Sequence, residues 1–140
     1  CGINFLKGKI KNLIGYDPVF KEADIKCGHF DAPFKTECAD VILALGSVNW
    51  GNHDDIANML IKLKSWLKPG GRLYMRGAPG GYKNDQGLKW FQWGTKEIDQ
   101  FARLMDFTVE RVEIEYNTSG TLKSREWPHR YVWLYRRKNI

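Results

Sequence analysis

One stretch constrains the fold more than any other. Residues 39–77 read A-D-V-I-L-A-L-G-S-V-N-W-G-N-H-D-D-I-A-N-M-L-I-K-L-K-S-W-L-K-P-G-G-R-L-Y-M-R-G. Val41 to Leu45 is short, continuous and apolar, the pattern of a strand buried on both faces. From Ile56 the apolar residues recur as Ile56, Met59, Leu60, Leu63 and Leu67, the spacing of one helical face. Asn52 can cap that helix, and Asp54 and Asp55 fall in its first turn, where negative charge suits the helix dipole. Pro69-Gly70-Gly71 stops it. Arg72 to Arg76 then alternates around Leu73 and Met75 as a second strand. Strand, helix and strand with short connections make a βαβ unit, so the two strands should run parallel with a right-handed crossover.

On both sides of this unit the pattern continues. Phe5 to Lys11 is a short helix candidate. Leu13 to Tyr16 is a small apolar run that ends in Gly15-Tyr16-Asp17-Pro18, and Ile25 to Cys27 is a third short strand candidate. Gly28-His29-Phe30-Asp31-Ala32-Pro33-Phe34 follows as a loop. After Gly77 comes a glycine-rich loop, then the aromatic run Lys89-Trp90-Phe91-Gln92-Trp93. Thr95 is placed to cap a helix carrying Ile98, Phe101, Ala102, Leu104 and Met105. Phe107 to Tyr116 alternates, Asn117-Thr118-Ser119-Gly120 is a turn, and Trp127 to Tyr135 is a second aromatic-rich run. The last two runs therefore read as an antiparallel pair.

The 140 residues fit one domain. No apolar run is long enough to cross a bilayer. The three cysteines, Cys1, Cys27 and Cys38, are widely spaced and form no CxxC pair. That spacing excludes a disulfide framework and a zinc knuckle as first readings and points to a reducing, cytoplasmic compartment. A net charge of +6 fits a lysine-rich solvated surface, or an acidic partner such as nucleic acid.

In this order the motifs resemble those of the class I S-adenosylmethionine-dependent methyltransferases. Cys1-Gly2-x-Asn4 matches the tail of a G-C-G-x-G-like loop, and Gly15-Tyr16-Asp17-Pro18 follows the second strand. Gly28-His29-Phe30-Asp31 with Pro33-Phe34 follows the third. The most specific pieces are Ala39-Asp40-Val41-Ile42-Leu43-Ala44-Leu45-Gly46-Ser47 for the fourth strand and Leu67-Lys68-Pro69-Gly70-Gly71-Arg72-Leu73 leading into the fifth. The resemblance implies a Rossmann-like α/β fold: a mostly parallel sheet with helices on both faces and a C-terminal antiparallel strand pair. Ligands would sit at the carboxyl ends of the strands.

Residue by residue, the resemblance implies a site for S-adenosylmethionine, with S-adenosylhomocysteine as product. Gly2 would let the backbone approach the cofactor, with Asn4 in the place of a third glycine. Asp17 would hold the ribose hydroxyls. Phe30 would stack on the adenine and Asp31 accept from its amine, although the loop from His29 to Phe34 is one residue short and His29 competes for that role. Leu45, Gly46 and Ser47 would line the methionine side. No lysine or arginine occurs from Ala39 to Ile61, which suits a cationic sulfonium. The first strand of such a fold, its central one, would precede Cys1. We therefore expect a longer gene product, or another segment in that place.

Each residue also has a plainer reading. Asp17 precedes a proline and can simply start a turn. Trp50 is a pocket wall or a cover for the core. Arg76, with Tyr82, Trp90 and Trp93, could shape an acceptor pocket, and His129 could face it. The chain holds six tryptophans, and most such rings serve packing. There is no D/N-P-P-Y/F tetrapeptide for amino methylation of bases and no Pro-Cys nucleophile. No metal-ligand cluster is evident, and the catalytic base stays unassigned. Methyl transfer to a good nucleophile needs chiefly alignment. The expected activity is therefore methyl transfer to a small-molecule acceptor. The alternatives are a degenerate cofactor-binding or interaction module and a nucleic-acid methyltransferase.

Overall fold

The computed structural model describes residues 6–17, 21–25, 28, 31–79, 89–116 and 128–139, the side chains of Tyr116, Pro128 and His129 excepted. The chain divides into two compact units, Cys1–Lys35 and Thr36–Ile140.

In the first unit the expected helix at Phe5 to Lys11 is a single turn within its described part. Lys9 N and Ile10 N both donate to Leu6 O, at 2.9 and 3.1 Å. Propagation stops because Gly8 and Asn12 sit at φ +80° and +57°, outside the right-handed region. The two expected strands meet in one parallel bridge, Tyr16 with Ile25. Asp17 N donates to Ile25 O and Ile25 N to Gly15 O, each at 3.1 Å. The Tyr16 ring meets Phe34 edge-on at 5.5 Å. Asp24 ties this bridge down: its carboxylate accepts from Gly15 N at 2.7 Å and from Lys7 Nζ. The Gly15 N–H first, then Lys7, hold the Asp24 carboxyl below the usual carboxylate range.

The second unit carries the regular elements: β1 (Ala39–Leu45), α1 (His53–Trp66), β2 (Leu67–Gly77), α2 (Thr95–Met105), β3 (Phe107–Tyr116) and β4 (Pro128–Arg137). The sheet order is β1-β2-β4-β3. β1 and β2 are parallel, as the βαβ reading requires, with Val41–Leu45 in register with Arg72–Arg76. β3 and β4 are antiparallel as expected, but β4 inserts beside β2, also antiparallel. The described sheet is therefore mixed, with one parallel pair of three, rather than mostly parallel. The aromatic content of β4 accounts for its place. The register aligns Trp133 with Met75 and Tyr135 with Leu73, and all four are buried on one face.

Both described helices cover that face, so helices on both faces are met on one face only among the described residues. α1 buries Ile56, Leu60, Leu63 and Trp66, and α2 buries Ile98, Phe101, Ala102 and Met105. The His53 ring stacks on Phe101 at 4.5 Å, and Lys64 Nζ donates to Met105 O. Tyr135 Oη donates to Ile98 O at 2.6 Å, and burial pushes the phenol well above its usual range, so it stays a neutral donor.

Local chemistry sets the helix ends. Asn52 and Asp55 form a reciprocal capping box at the start of α1. The helix ends at Trp66, three residues before Pro69, because a residue preceding proline is pushed to extended backbone. Gly94 takes the N-cap of α2 and Thr95 is its first helical residue, one position from the expected cap.

The reading of β1 as buried on both faces is corrected by its place at the sheet edge. Only Ala44 is fully buried there, and Val41 is 49% exposed, because β1 has one strand neighbour among the described residues. Val112 and Ile114 are exposed for the same reason on the opposite edge strand, β3.

Two outcomes test this description. A Cβ at Gly77 would overlap the Trp93 ring and come within 2.9 Å of Trp133 Cη2. Gly77→Ala should therefore lower unfolding free energy by about 1–3 kcal/mol, read from urea midpoints. Asp24 has a depressed folded-state pKa, so the stability it contributes is present above the ordinary aspartate value of about 3.9 and is lost as pH falls through the lowered one. A carboxyl NMR titration should place its midpoint below about 3.9. Lys7→Ala should raise that midpoint only partway, because the Gly15 N–H remains.

Candidate functional site

At the carboxyl end of β1 the chain enters Gly46-Ser47-Val48-Asn49-Trp50-Gly51. Almost every turn of this loop is fixed by a hydrogen bond. Arg76 Nη2, at the end of β2, donates to Leu45 O at 3.0 Å. Asn49 Nδ2 donates to Gly46 O at 3.2 Å. Trp93 Nε1 donates to Val48 O at 2.9 Å. Phe91 N donates to Asn49 O and Gly51 N to Lys89 O, each at 2.7 Å. These last two make a short antiparallel ladder in which Trp50 lies opposite Trp90. The two indoles meet at 3.9 Å with planes tilted by 32°, and both stay partly exposed.

Glycine is required at both ends of the loop. Gly46 and Gly51 have φ of +105° and +100°. At Gly51 a Cβ would also overlap the Asp55 side chain that closes the capping box. Gly46 leaves its surroundings open: a Cβ there would lie 3.8 Å from Arg76 Nη2 and 3.9 Å from Asn49 Nδ2, ordinary contacts.

Of the residues expected from the sequence, Leu45, Gly46, Trp50 and Arg76 come together here, with Ser47 exposed at the turn. Trp93 belongs to the layer behind. It is 2% exposed and packs on Trp133 at 4.7 Å and Phe101 at 5.4 Å, so it supports the loop from the core rather than facing solvent. Asp17 and Asp31 lie in the first unit. Asp17 is half-buried beside the Tyr16–Ile25 bridge, and Asp31 is exposed with its N–H on Gly28 O at 3.2 Å. Gly2, Asn4, His29, Phe30 and Tyr82 lie outside the described residues. His129 is placed in β4 by its backbone, and its side chain is outside them.

Sequence reasoning missed Asn49. It is 5% exposed, and with its amide nitrogen committed to Gly46 O, its Oδ1 is buried without a hydrogen-bond partner among the described residues. A lone asparagine after a strand carries no such signal in sequence. Arg76 is half-buried. Its pKa is held below the usual arginine range by burial first and then by Arg130, with Glu115 acting the other way. Arg130 and Glu115 pair with each other at 3.3 Å, and Arg76 has no ion pair among the described residues.

A different concavity, of about 450 Å³, lies among Thr36, Ile61, Lys64, Leu104 and Arg137. Its cations are already engaged, Lys64 with Met105 O and Arg137 with Leu67 O and Glu37. We place the candidate site at the tip of β1 instead.

No family model matches the sequence, and no curated protein does. Solved structures do match. A protein from Pyrococcus horikoshii OT3 superposes with a TM-score of 0.70 at 16% identity, covering 99% of this chain and 79% of that one. An S-adenosylmethionine-dependent methyltransferase from Archaeoglobus fulgidus gives 0.71 at 12% identity, covering 97% and 80%. The Burkholderia thailandensis 1,6-didemethyltoxoflavin-N1-methyltransferase, solved with 1,6-didemethyltoxoflavin and S-adenosylhomocysteine, gives 0.70 at 16% identity. There the match covers 88% of this chain and 60% of that enzyme's length. The fold is that of the class I methyltransferases. In that fold the loop after β1 stands at the carboxyl end of a parallel strand pair, where α/β sheets bind their ligands.

The support behind the loop can be tested directly. Trp93→Phe keeps a ring in the core but removes the N–H from Val48 O. It should cost about 1–2 kcal/mol by chemical denaturation. It should also speed amide exchange at Phe91 and Gly51 relative to the strands. Unchanged exchange there would mean that the ladder, not the indole, sets the loop.

Proposed function

We propose that the chain binds S-adenosylmethionine and catalyses transfer of its methyl group to a small-molecule acceptor. The observation that carries this reading is the immobilised Leu45–Gly51 segment at the end of a parallel strand in a methyltransferase fold. The residues present suit such a ligand. Gly46 keeps side-chain bulk away from the strand tip, and Asn49 Oδ1 is a buried acceptor without a hydrogen-bond partner among the described residues. Asp17, Asp31, Leu45, Gly46 and Ser47 would hold the cofactor, together with Gly2, Asn4, His29 and Phe30. Trp50, Arg76, Tyr82 and His129 would border the acceptor, with Trp93 supporting them.

When bound, S-adenosylmethionine would supply an electrophilic methyl carbon on a sulfonium whose departure would leave S-adenosylhomocysteine. The chain's own contribution is alignment. Arg76 and Asn49 hold the Leu45 and Gly46 carbonyls still, so the loop need not be ordered during the reaction. Asp17, its N–H fixed on Ile25 O, would be the carboxylate that meets the ribose hydroxyls.

Calorimetry of the complete chain with S-adenosylmethionine and with S-adenosylhomocysteine tests the reading. Binding of both is expected, and Asp17→Ala should weaken it at least about tenfold, a loss of about 1.4 kcal/mol. Absence of heat with either ligand would leave a degenerate interaction module. Wild-type affinity in Asp17→Ala would make that carboxylate a turn residue only.

A further inference from the structure

We infer that the methyl acceptor is a planar, electron-rich heteroaromatic molecule laid against the Trp50–Trp90 pair. This rests on the methyltransferase reading and names its substrate class. The core buries Trp93 and Trp133 almost completely, yet leaves Trp50 and Trp90 partly exposed beside the strand end where the fold admits ligands. Indole surface that stays accessible at such a strand end is a place where a ring can stack.

The pair is also built to stay in place. Trp50 and Trp90 face each other across a ladder held by Gly51 N–Lys89 O and Phe91 N–Asn49 O. They meet at 3.9 Å with planes tilted by 32°, and each residue keeps some accessible surface. Two indoles fixed in this way form a tilted shelf that loses little entropy when a ring settles on it. A flat π-system gains most from such a shelf, because stacking scales with overlapping face area. Arg76 stands at the same strand end without an ion pair among the described residues. Its charge favours an electron-rich or anionic ring over a protonated aliphatic amine. In the transfer, a ring nitrogen or oxygen lone pair bonds to the methyl carbon, the carbon–sulfur pair stays on sulfur, and the ring's proton goes to solvent.

The test uses the full-length chain with lumichrome, xanthine and 8-hydroxyquinoline as planar probes and cyclohexylamine as the control. Binding is read by calorimetry with and without S-adenosylhomocysteine, and transfer by label from S-adenosylmethionine. We expect at least one planar probe to bind at least about tenfold more tightly than cyclohexylamine. Trp50→Ala should weaken that probe about tenfold or more while S-adenosylhomocysteine affinity stays within about twofold. Trp50→Phe, which keeps a flat ring, should recover most of the loss and guards against a variant that fails to fold. The proposal is overturned if no planar probe outbinds cyclohexylamine, or if Trp50→Ala binds it like the wild type. Failure of S-adenosylhomocysteine binding would instead remove the cofactor reading, and the planar probes without it would still decide the shelf.

Discussion

The bond from the Trp93 indole N–H to the Val48 carbonyl joins the core to the site, and much else depends on it. Trp93 can occupy its position only because Gly77, at the end of β2, has no side chain to keep it out. From there its ring touches Phe91, Phe101 and Trp133, which belong to the aromatic ladder, α2 and β4. Its own backbone N–H is fixed on Ala78 O at 2.9 Å. One buried side chain therefore sets the height of the loop above the sheet. A polar atom this deeply buried needs its partner, since an unmade hydrogen bond there would cost about 1–3 kcal/mol. The loop carbonyl is held as firmly as the core holds the ring.

That linkage explains which parts of the fold were legible in the sequence. The βαβ unit was readable because its signals are local: apolar spacing over Ile56, Leu60 and Leu63, a capping pair at Asn52 and Asp55, and a proline beyond the helix end. The β3–β4 pair was readable from alternation. The place of β4 between β2 and β3 was not, because it depends on Trp133 and Tyr135 finding Met75 and Leu73, a pairing some 60 residues apart. The burial of β1 was overstated for a related reason. A continuous apolar run records what a strand could bury, not how many neighbours it has. The helix expected near Lys7 failed on two backbone angles, at Gly8 and Asn12, which composition does not encode.

The candidate site divides along the same line. Leu45, Gly46 and Arg76 could be placed at strand ends because those ends are visible in the pattern. Trp93 was named for the acceptor side when it serves from behind, since aromatic residues in core and rim look alike in sequence. Asn49 was passed over because its role is wholly tertiary: one amide hydrogen on a carbonyl three residues back, and an oxygen facing no described partner.

A site for methyl transfer asks for little that titrates. Between Leu45 and Gly51 there is no ionisable side chain, and the nearby guanidinium of Arg76 is spent in part on a backbone carbonyl. In the proposed methyl transfer, whose barrier would fall mainly through alignment of three atoms, this economy would have a physical reason. Fixed backbone carbonyls neither change charge with pH nor reorganise as the methyl moves. The same economy hides the site from sequence reading. In the proposed site the main-chain atoms are held by Arg76, Asn49 and Trp93, so what a sequence shows is the set of holders, and only the fold shows what they hold.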